Sequence, residues 1–289
     1  MKNYKLLIFS LLSIFLTFQA CKQEDEPVDN NTSFSKDNGA AENLFADIKR
    51  VVEEAADDEG QSAKYSGGVK SSNYSFGNCA TVTINPAWND TTWPKVMEID
   101  FGPTNCQGVY GINRKGKLVV TLTDRYRNPG STLTIQPQNY YVNNIKLEGT
   151  KTITNQGLNI NGNLEYDVDV VNGKLTLQNG NTMTWQSSRT NEWVEGDSTT
   201  LFTHGLSGIC DDVYLITGSA SGVNRQGVGF SVNITSPLKK EVCCRWLVSG
   251  NLEISPNGLS TRYLDFGSGA CDNEADVTIN GNTYTIQMF

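Results

Sequence analysis

The side chains whose types and spacing could do chemistry are few. The chain of 289 residues has seven cysteines and a single histidine, His204. Cysteines in this number can hold zinc or form disulfides. No CxxC pair exists, and one histidine cannot build a His-based cluster, so no metal is expected. A Ser/His/Asp triad would rest wholly on His204, and no GxSxG elbow surrounds a serine. There is no P-loop and no dinucleotide fingerprint. The run Asp272-Asn273-Glu274-Ala275-Asp276 alternates acids that could meet calcium, but it lacks the glycine and distal glutamate of an EF-hand loop. Carboxylates such as Asp100 and Asp265 could in principle hydrolyse a glycosidic bond. Their identical place in an internal repeat points to structural work instead. The expectation is a non-enzymatic protein with no catalytic set, no metal and no cofactor.

That repeat concerns the cysteines. Cys79 and Cys106 are separated by the same interval as Cys244 and Cys271. Each second cysteine follows the same word at the same offset, Asp100-Phe101-Gly102 before Cys106 and Asp265-Phe266-Gly267 before Cys271. Each pair encloses two strand-like runs broken by a turn containing Pro and Asn. In an antiparallel pair the start of one strand lies beside the end of the next. The spacing therefore predicts hairpins stapled at their open ends, Cys79–Cys106 and Cys244–Cys271, with Cys210–Cys243 by elimination. Adjacent strand residues point to opposite faces, so Cys243 and Cys244 suit different partners. A second word recurs as Gly111-Ile112-Asn113-Arg114-Lys115-Gly116 and Gly222-Val223-Asn224-Arg225-Gln226-Gly227. Its arginines could meet an anionic ligand. The glycine-bracketed turn favours internal bonds to loop carbonyls or an aspartate.

The seventh cysteine, Cys21, has a different setting. Lys2 and Lys5 precede an apolar run from Leu6 to Phe18, which ends at Phe18-Gln19-Ala20-Cys21. This is the layout of a secretory signal over residues 1–20, and the run is short for a spanning helix. Ala20-Cys21 resembles a lipobox, although Phe18 and Gln19 are bulky for their places. The resemblance implies lipidation of Cys21, each buried methylene contributing about 0.8 kcal/mol to attachment. The following Lys22-Gln23-Glu24-Asp25-Glu26 resembles the surface-export signal of Bacteroidota lipoproteins. It implies an outer-membrane protein, lipid-anchored and facing the exterior.

Of the 23 Lys and Arg, cleavage removes Lys2 and Lys5, leaving 21 against 31 Asp and Glu. An acidic chain does not suit nucleic acid. Residues 21–40 read as an acidic flexible tether. Residues 41–60 read as an amphipathic helix, with Leu44, Phe45, Ile48, Val51, Val52 and Ala55 on one face and Asp47, Lys49, Arg50, Glu53 and Glu54 on the other. That helix is expected to dock on a β body over residues 66–289, in one piece or in halves of about 66–190 and 191–289. Alternating runs such as Lys117–Thr123, Tyr140–Thr154, Gly162–Val171 and Thr182–Arg189 support this. Turn signals such as Asn172-Gly173 and Asn280-Gly281-Asn282 separate many of them. The fold class is mainly β, an antiparallel meander or sandwich-like body with disulfide staples.

Aromatics are the remaining hint of a ligand surface. Trp88 and Trp93 lie in a Pro- and Asn-containing turn, where the rings could be exposed and bind a glycan or a protein partner or could equally pack on the core. Trp185, Trp193, Tyr140 and Tyr141 lie in strand-like runs and are expected in the core. Asp90-Thr91-Thr92 and Asp197-Ser198-Thr199 match an O-glycosylation pattern like that of Bacteroidota exported proteins. The mature chain resembles an uncharacterised family of Bacteroidota surface lipoproteins. The resemblance rests on Val51-Val52-Glu53-Glu54-Ala55, Cys79-Ala80-Thr81-Val82-Thr83, Ile99-Asp100-Phe101-Gly102, Gly149-Thr150-Lys151-Thr152, Ile216-Thr217-Gly218-Ser219-Ala220-Ser221-Gly222 and Cys271-Asp272-Asn273. It implies no activity. The leading expectation is a surface-displayed binding or envelope-structural protein, with a carbohydrate-binding or glycan-processing module as the alternative.

Overall fold

A computed structural model describes residues 29–62, 75–108, 111–200, 204–205 and 207–288. The signal segment, Cys21 and the first part of the expected tether lie outside the described residues. A helix α1 (Ser33–Ser62) comes first, then strands β1 (Thr81–Asn85), β2 (Lys95–Asp100), β3 (Cys106–Gln107) and β4 (Asn113–Leu122). They continue as β5 (Thr132–Val142), β6 (Ile145–Leu158), β7 (Leu164–Thr176) and β8 (Thr182–Glu195). After one helical turn, α2 (Ser207–Cys210), come β9 (Val213–Val223), β10 (Gly229–Glu241) and β11 (Ser249–Pro256). The chain finishes with β12 (Arg262–Ser268), β13 (Glu274–Ile279) and β14 (Asn282–Gln287).

All fourteen strands form one antiparallel sheet in chain order, except that the short β3 pairs only with β4. The expected meander is present, as one sheet rather than two halves. The boundary considered at residues 190 and 191 falls inside β8, which pairs with β7 on one side and β9 on the other. The three disulfides are Cys79–Cys106, Cys210–Cys243 and Cys244–Cys271. The first and third are the pairs the repeat predicts, and the second is the pair left by elimination. The first closes the β1–β2 hairpin, where Thr81 faces Asp100. The third closes the β11–β12 hairpin, where Ser249 faces Ser268. The repeated word does one job twice: Gly102 N–H donates to Asp100 Oδ1 and Gly267 N–H to Asp265 Oδ1, each at 2.8 Å.

The helix corrects the sequence reading in two ways. It begins at Ser33, so the last eight residues of the expected tether are helical. Asn31 starts it by accepting the Ser33 N–H on Oδ1 at 2.9 Å, a local cap that a polar run does not advertise. At 30 residues it is about 45 Å long. Its charged face is also covered. Besides Phe34, Phe45, Ile48 and Val52, the buried set includes Ser35, Asp37, Asn38, Lys49 and Glu54. The sheet curls around α1, so the helix has no broad solvent face on which to place its charges. Contacts come from strands far apart in the order. Phe34 meets Phe230 of β10, Phe45 stacks on Trp185 of β8, and Lys151 of β6 donates to the Phe45 carbonyl at 2.9 Å.

Curling requires bends, and register shifts supply them in β4, β6, β7, β10 and β11. One shift falls at Asn172-Gly173, where the sequence signals a turn. The chain instead stays in β7, with Asn172 at φ 54°. Gly173 is required because a Cβ there would lie 2.3 Å from the Trp185 carbonyl oxygen and 3.2 Å from Phe45 Cζ. Another shift falls at Gly116, where a Cβ would lie 2.0 Å from the Asn139 carbonyl oxygen. Conversely, the run Tyr140–Thr154 is two strands. Asn143 and Asn144, at φ 47° and 63°, form a tight turn between β5 and β6.

Candidate functional site

The strand ends leave a cleft along α1. Leu44, Lys49, Arg50 and Glu53 of the helix form its floor. Ile112, Val142 and Asn143 form one wall. Tyr214 and Ile216 of β9, Lys240 of β10 and the Val242–Arg245 segment form the other. Its volume is about 90 Å³, room for a few waters or one branched side chain rather than a drug-sized ligand. Cys243 and Cys244 line it, so two disulfides fix the outer wall.

Strand alternation positions the polar residues beneath the cleft. Along β8 every second residue points inward, so Ser187, Arg189 and Asn191 share the buried face with Trp185 and Trp193. The same parity puts Lys151 of β6 beside Ile153 and Arg114 of β4 beside Leu118. These charges are matched to the helix. Arg114 donates from Nε to Asp47 Oδ2 at 2.8 Å, and Arg50 Nη2 reaches Asp47 Oδ1 at 3.1 Å. Glu54 accepts from Arg50 at 3.4 Å and from the Ser75 N–H at 2.5 Å. Arg189 pairs with Glu42 at 2.8 Å, Arg225 with Asp37, and Arg262 with Asp29 at 2.7 Å. Both arginines of the second repeated word therefore hold aspartates of α1, the internal use expected for them.

Lys49 sits among aromatics, its Nζ 3.9 Å from the Tyr214 ring centre and 2.5 Å from Glu53. Tyr126 stacks on Tyr166 at 4.8 Å and Trp193 on Tyr214 at 5.4 Å. Tyr126 Oη donates to Glu53.

Protonation follows from these surroundings. Burial pushes the Asp47 carboxyl up, but Arg114 and Arg50 outweigh it and hold it at about 2. Burial raises Glu54. Burial lowers Lys151 to about 7, with Lys49 adding to the effect. Lys240 is also lowered to about 7, by burial first and then by Arg50. Burial, then Glu53 and Asp211, raise Asp212 to about 8. A neutral amine can act as a nucleophile. Both lysines, however, already donate to carbonyls, Lys151 to Phe45 and Lys240 to Cys244 and Trp246.

The expected tryptophan platform is not formed. Trp88 is 6% exposed and meets the half-buried Trp93 edge-to-face at 5.6 Å. Lys95 explains the burial. It donates to the Ala87 and Asp90 carbonyls at 2.9 Å each, drawing the turn onto the core, and lies 5.0 Å from the Trp93 ring. Trp185, Trp193 and Tyr140 are core residues as expected, but Tyr141 is not: the next residue along β5, it points to the other face, where its ring lies 4.7 Å from Lys115 Nζ. Asp272 and Asp276 serve locally, Asp272 accepting the Glu274 N–H at 3.0 Å and Asp276 the Thr285 hydroxyl at 2.7 Å. The sequence reading missed Lys151, Arg189, Lys240 and Asp212. A polar residue at an inward position of an alternating run was the available signal for Lys151 and Arg189.

No family model matches the chain, no curated protein matches it, and no solved structure matches it.

Proposed function

We propose that this chain is a non-enzymatic lipoprotein of the outer membrane, anchored through Cys21 and facing outward, whose body binds or braces envelope components. The observation that supports this best is how close in sequence the described body comes to Cys21. Arg262 of β12 holds Asp29 at 2.7 Å, only eight residues after Cys21. Eight extended residues reach at most about 29 Å, so a lipid on Cys21 would keep the body close to the membrane surface. Three ion pairs join the sheet to α1, Arg114–Asp47, Arg189–Glu42 and Arg225–Asp37, and Arg262–Asp29 holds the segment before it, so these carboxylates and guanidinium groups serve cohesion, in keeping with a role that needs shape rather than turnover. No helix among the described residues is long and apolar enough to cross a membrane.

The test is fractionation of cells expressing the wild type and Cys21→Ala, with protease applied to intact cells. The wild type is expected in the membrane fraction and digested from outside. Cys21→Ala is expected in the soluble fraction. Its persistence with the membrane would overturn the anchor, and protection of the wild type from protease would overturn outward display.

A further inference from the structure

Behind the cleft, between α1 and strands β6 to β8, lies a second cavity of about 30 Å³. It shares Ala46, Lys49, Asn191 and Ile216 with the cleft, so the two lie against the same side chains. Three features of it are unusual for a protein interior. The first is an unsatisfied donor. Arg189 engages Glu42 through Nη2 and Nε, at 2.8 and 3.4 Å, and its side chain is 3% exposed. Its Nη1 finds no acceptor among the described residues, a costly omission for a buried charged group. The second is charge. Lys49 pairs with Glu53 and Arg189 with Glu42, so Lys151 is left as an odd cation, 4% exposed, whose Nζ donates to the Phe45 carbonyl. The third is size. The space admits a water or a single ion a little larger, and excludes a phosphate or an organic acid.

We propose that this cavity binds one monovalent inorganic anion of halide size, held between Arg189 Nη1 and Lys151 Nζ. Below about pH 7, where Lys151 carries its proton, a water would accept one of these bonds but leave that charge uncompensated. An anion supplies both the acceptor and the countercharge. The groups facing Lys151 are Glu42, Lys49 and Glu53 from α1 and Arg189 from β8. β7 and β9 contribute the apolar Val168 and Ile216. With Lys151 lowered to about 7, binding should be stronger below neutrality than above it. This inference is independent of the anchor and of the direction the protein faces.

The experiment is thermal unfolding of the mature protein at pH 6, with gluconate replaced stepwise by chloride or bromide at a constant ionic strength of about 0.15 M. The unfolding temperature is expected to rise with halide and to saturate, and the rise is expected to shrink at pH 9. Crystals soaked in bromide are expected to give an anomalous peak between Arg189 and Lys151. Lys151→Met is expected to abolish the halide response. If that variant does not fold, the wild-type titration and the bromide peak still decide the matter. Equal unfolding temperatures in gluconate and halide, a cavity holding only water, or an undiminished response in Lys151→Met would each overturn the proposal.

Discussion

Replacing Asp47 by Asn tests whether ion pairs hold α1 inside the sheet. The substitution keeps the shape and removes the charge. Arg114 has a fully buried side chain and takes its two closest carboxylate contacts from Asp47, through Nε at 2.8 Å and Nη2 at 2.5 Å. Removing one partner of a buried pair costs about 3–5 kcal/mol, because the other charge remains desolvated. Against a typical total of about 5–15 kcal/mol this is a large fraction. A second route gives a smaller figure. Lowering the carboxyl from its ordinary 3.8 to about 2 corresponds to ~2 kcal/mol. That route counts only the preference for the ionised form, not the hydrogen bonds lost by the arginine. Because the folded state lowers the value, the contribution is complete above about pH 4 and is lost as pH falls through about 2. Urea unfolding followed by tryptophan fluorescence measures both quantities. Asp47→Asn is expected to lose about 3–5 kcal/mol at pH 7, with the gap to wild type narrowing between pH 5 and pH 2. A loss below about 1 kcal/mol at pH 7, or a gap that stays constant with pH, would refute the reasoning. Pairing Asp47→Leu with Arg114→Met should recover much of the loss, since an apolar pair leaves no stranded charge.

Two further outcomes follow from the same interior. Replacing Cys79 and Cys106 together by Ser opens the β1–β2 staple. It is expected to cost about 3 kcal/mol by loop-closure entropy, read as a fall in unfolding temperature of roughly 6–12 °C; an unchanged temperature would mean that the hairpin is held by its ladder alone. Asp212 is raised to about 8, so in the wild type its contribution is complete below about pH 4 and is lost as pH climbs through about 8. Asp212→Asn is therefore expected to gain in unfolding temperature relative to wild type at pH 8 and to differ little at pH 4. A difference independent of pH would sink that assignment.

Much of the architecture was legible because short-range rules governed it. Period-two alternation located most strands, and the doubled Asp-Phe-Gly word with equal cysteine spacing named the disulfide pairs. The errors came where a distant contact overrode a local signal. Asn172-Gly173 has the composition of a turn, but the glycine serves the close approach of Phe45 and the Trp185 carbonyl. The helix shows a clean amphipathic wheel, yet Asp37, Asp47 and Glu42 are met by arginines from β4, β8 and the β9–β10 turn. Helical periodicity cannot report a partner 188 residues away. The loop tryptophans failed for a similar reason. Lys95 lies on the inward face of β2 beside Met97 and Ile99, and only the fold reveals that it gathers the turn carbonyls over the core. The cavity around Arg189 and Lys151 was half legible, since both are charged residues at inward positions of alternating runs, although Ser187, Asn191 and Asn155 share those faces.

The enclosed helix also has a consequence for the order of assembly. An early segment depends on partners made much later: Asp29 is held by Arg262, 233 residues on, and Gly39 lies against Met288. Contacts of such sequence separation are slow to form, because the intervening chain must be ordered before they stabilise anything. Until β12 to β14 have been made, the apolar face of α1 lacks part of its cover. A chain still being made would therefore carry an exposed sticky helix until those strands emerge, a natural substrate for holding chaperones. Truncation near the C-terminus should consequently harm solubility far more than the small share of residues removed would suggest.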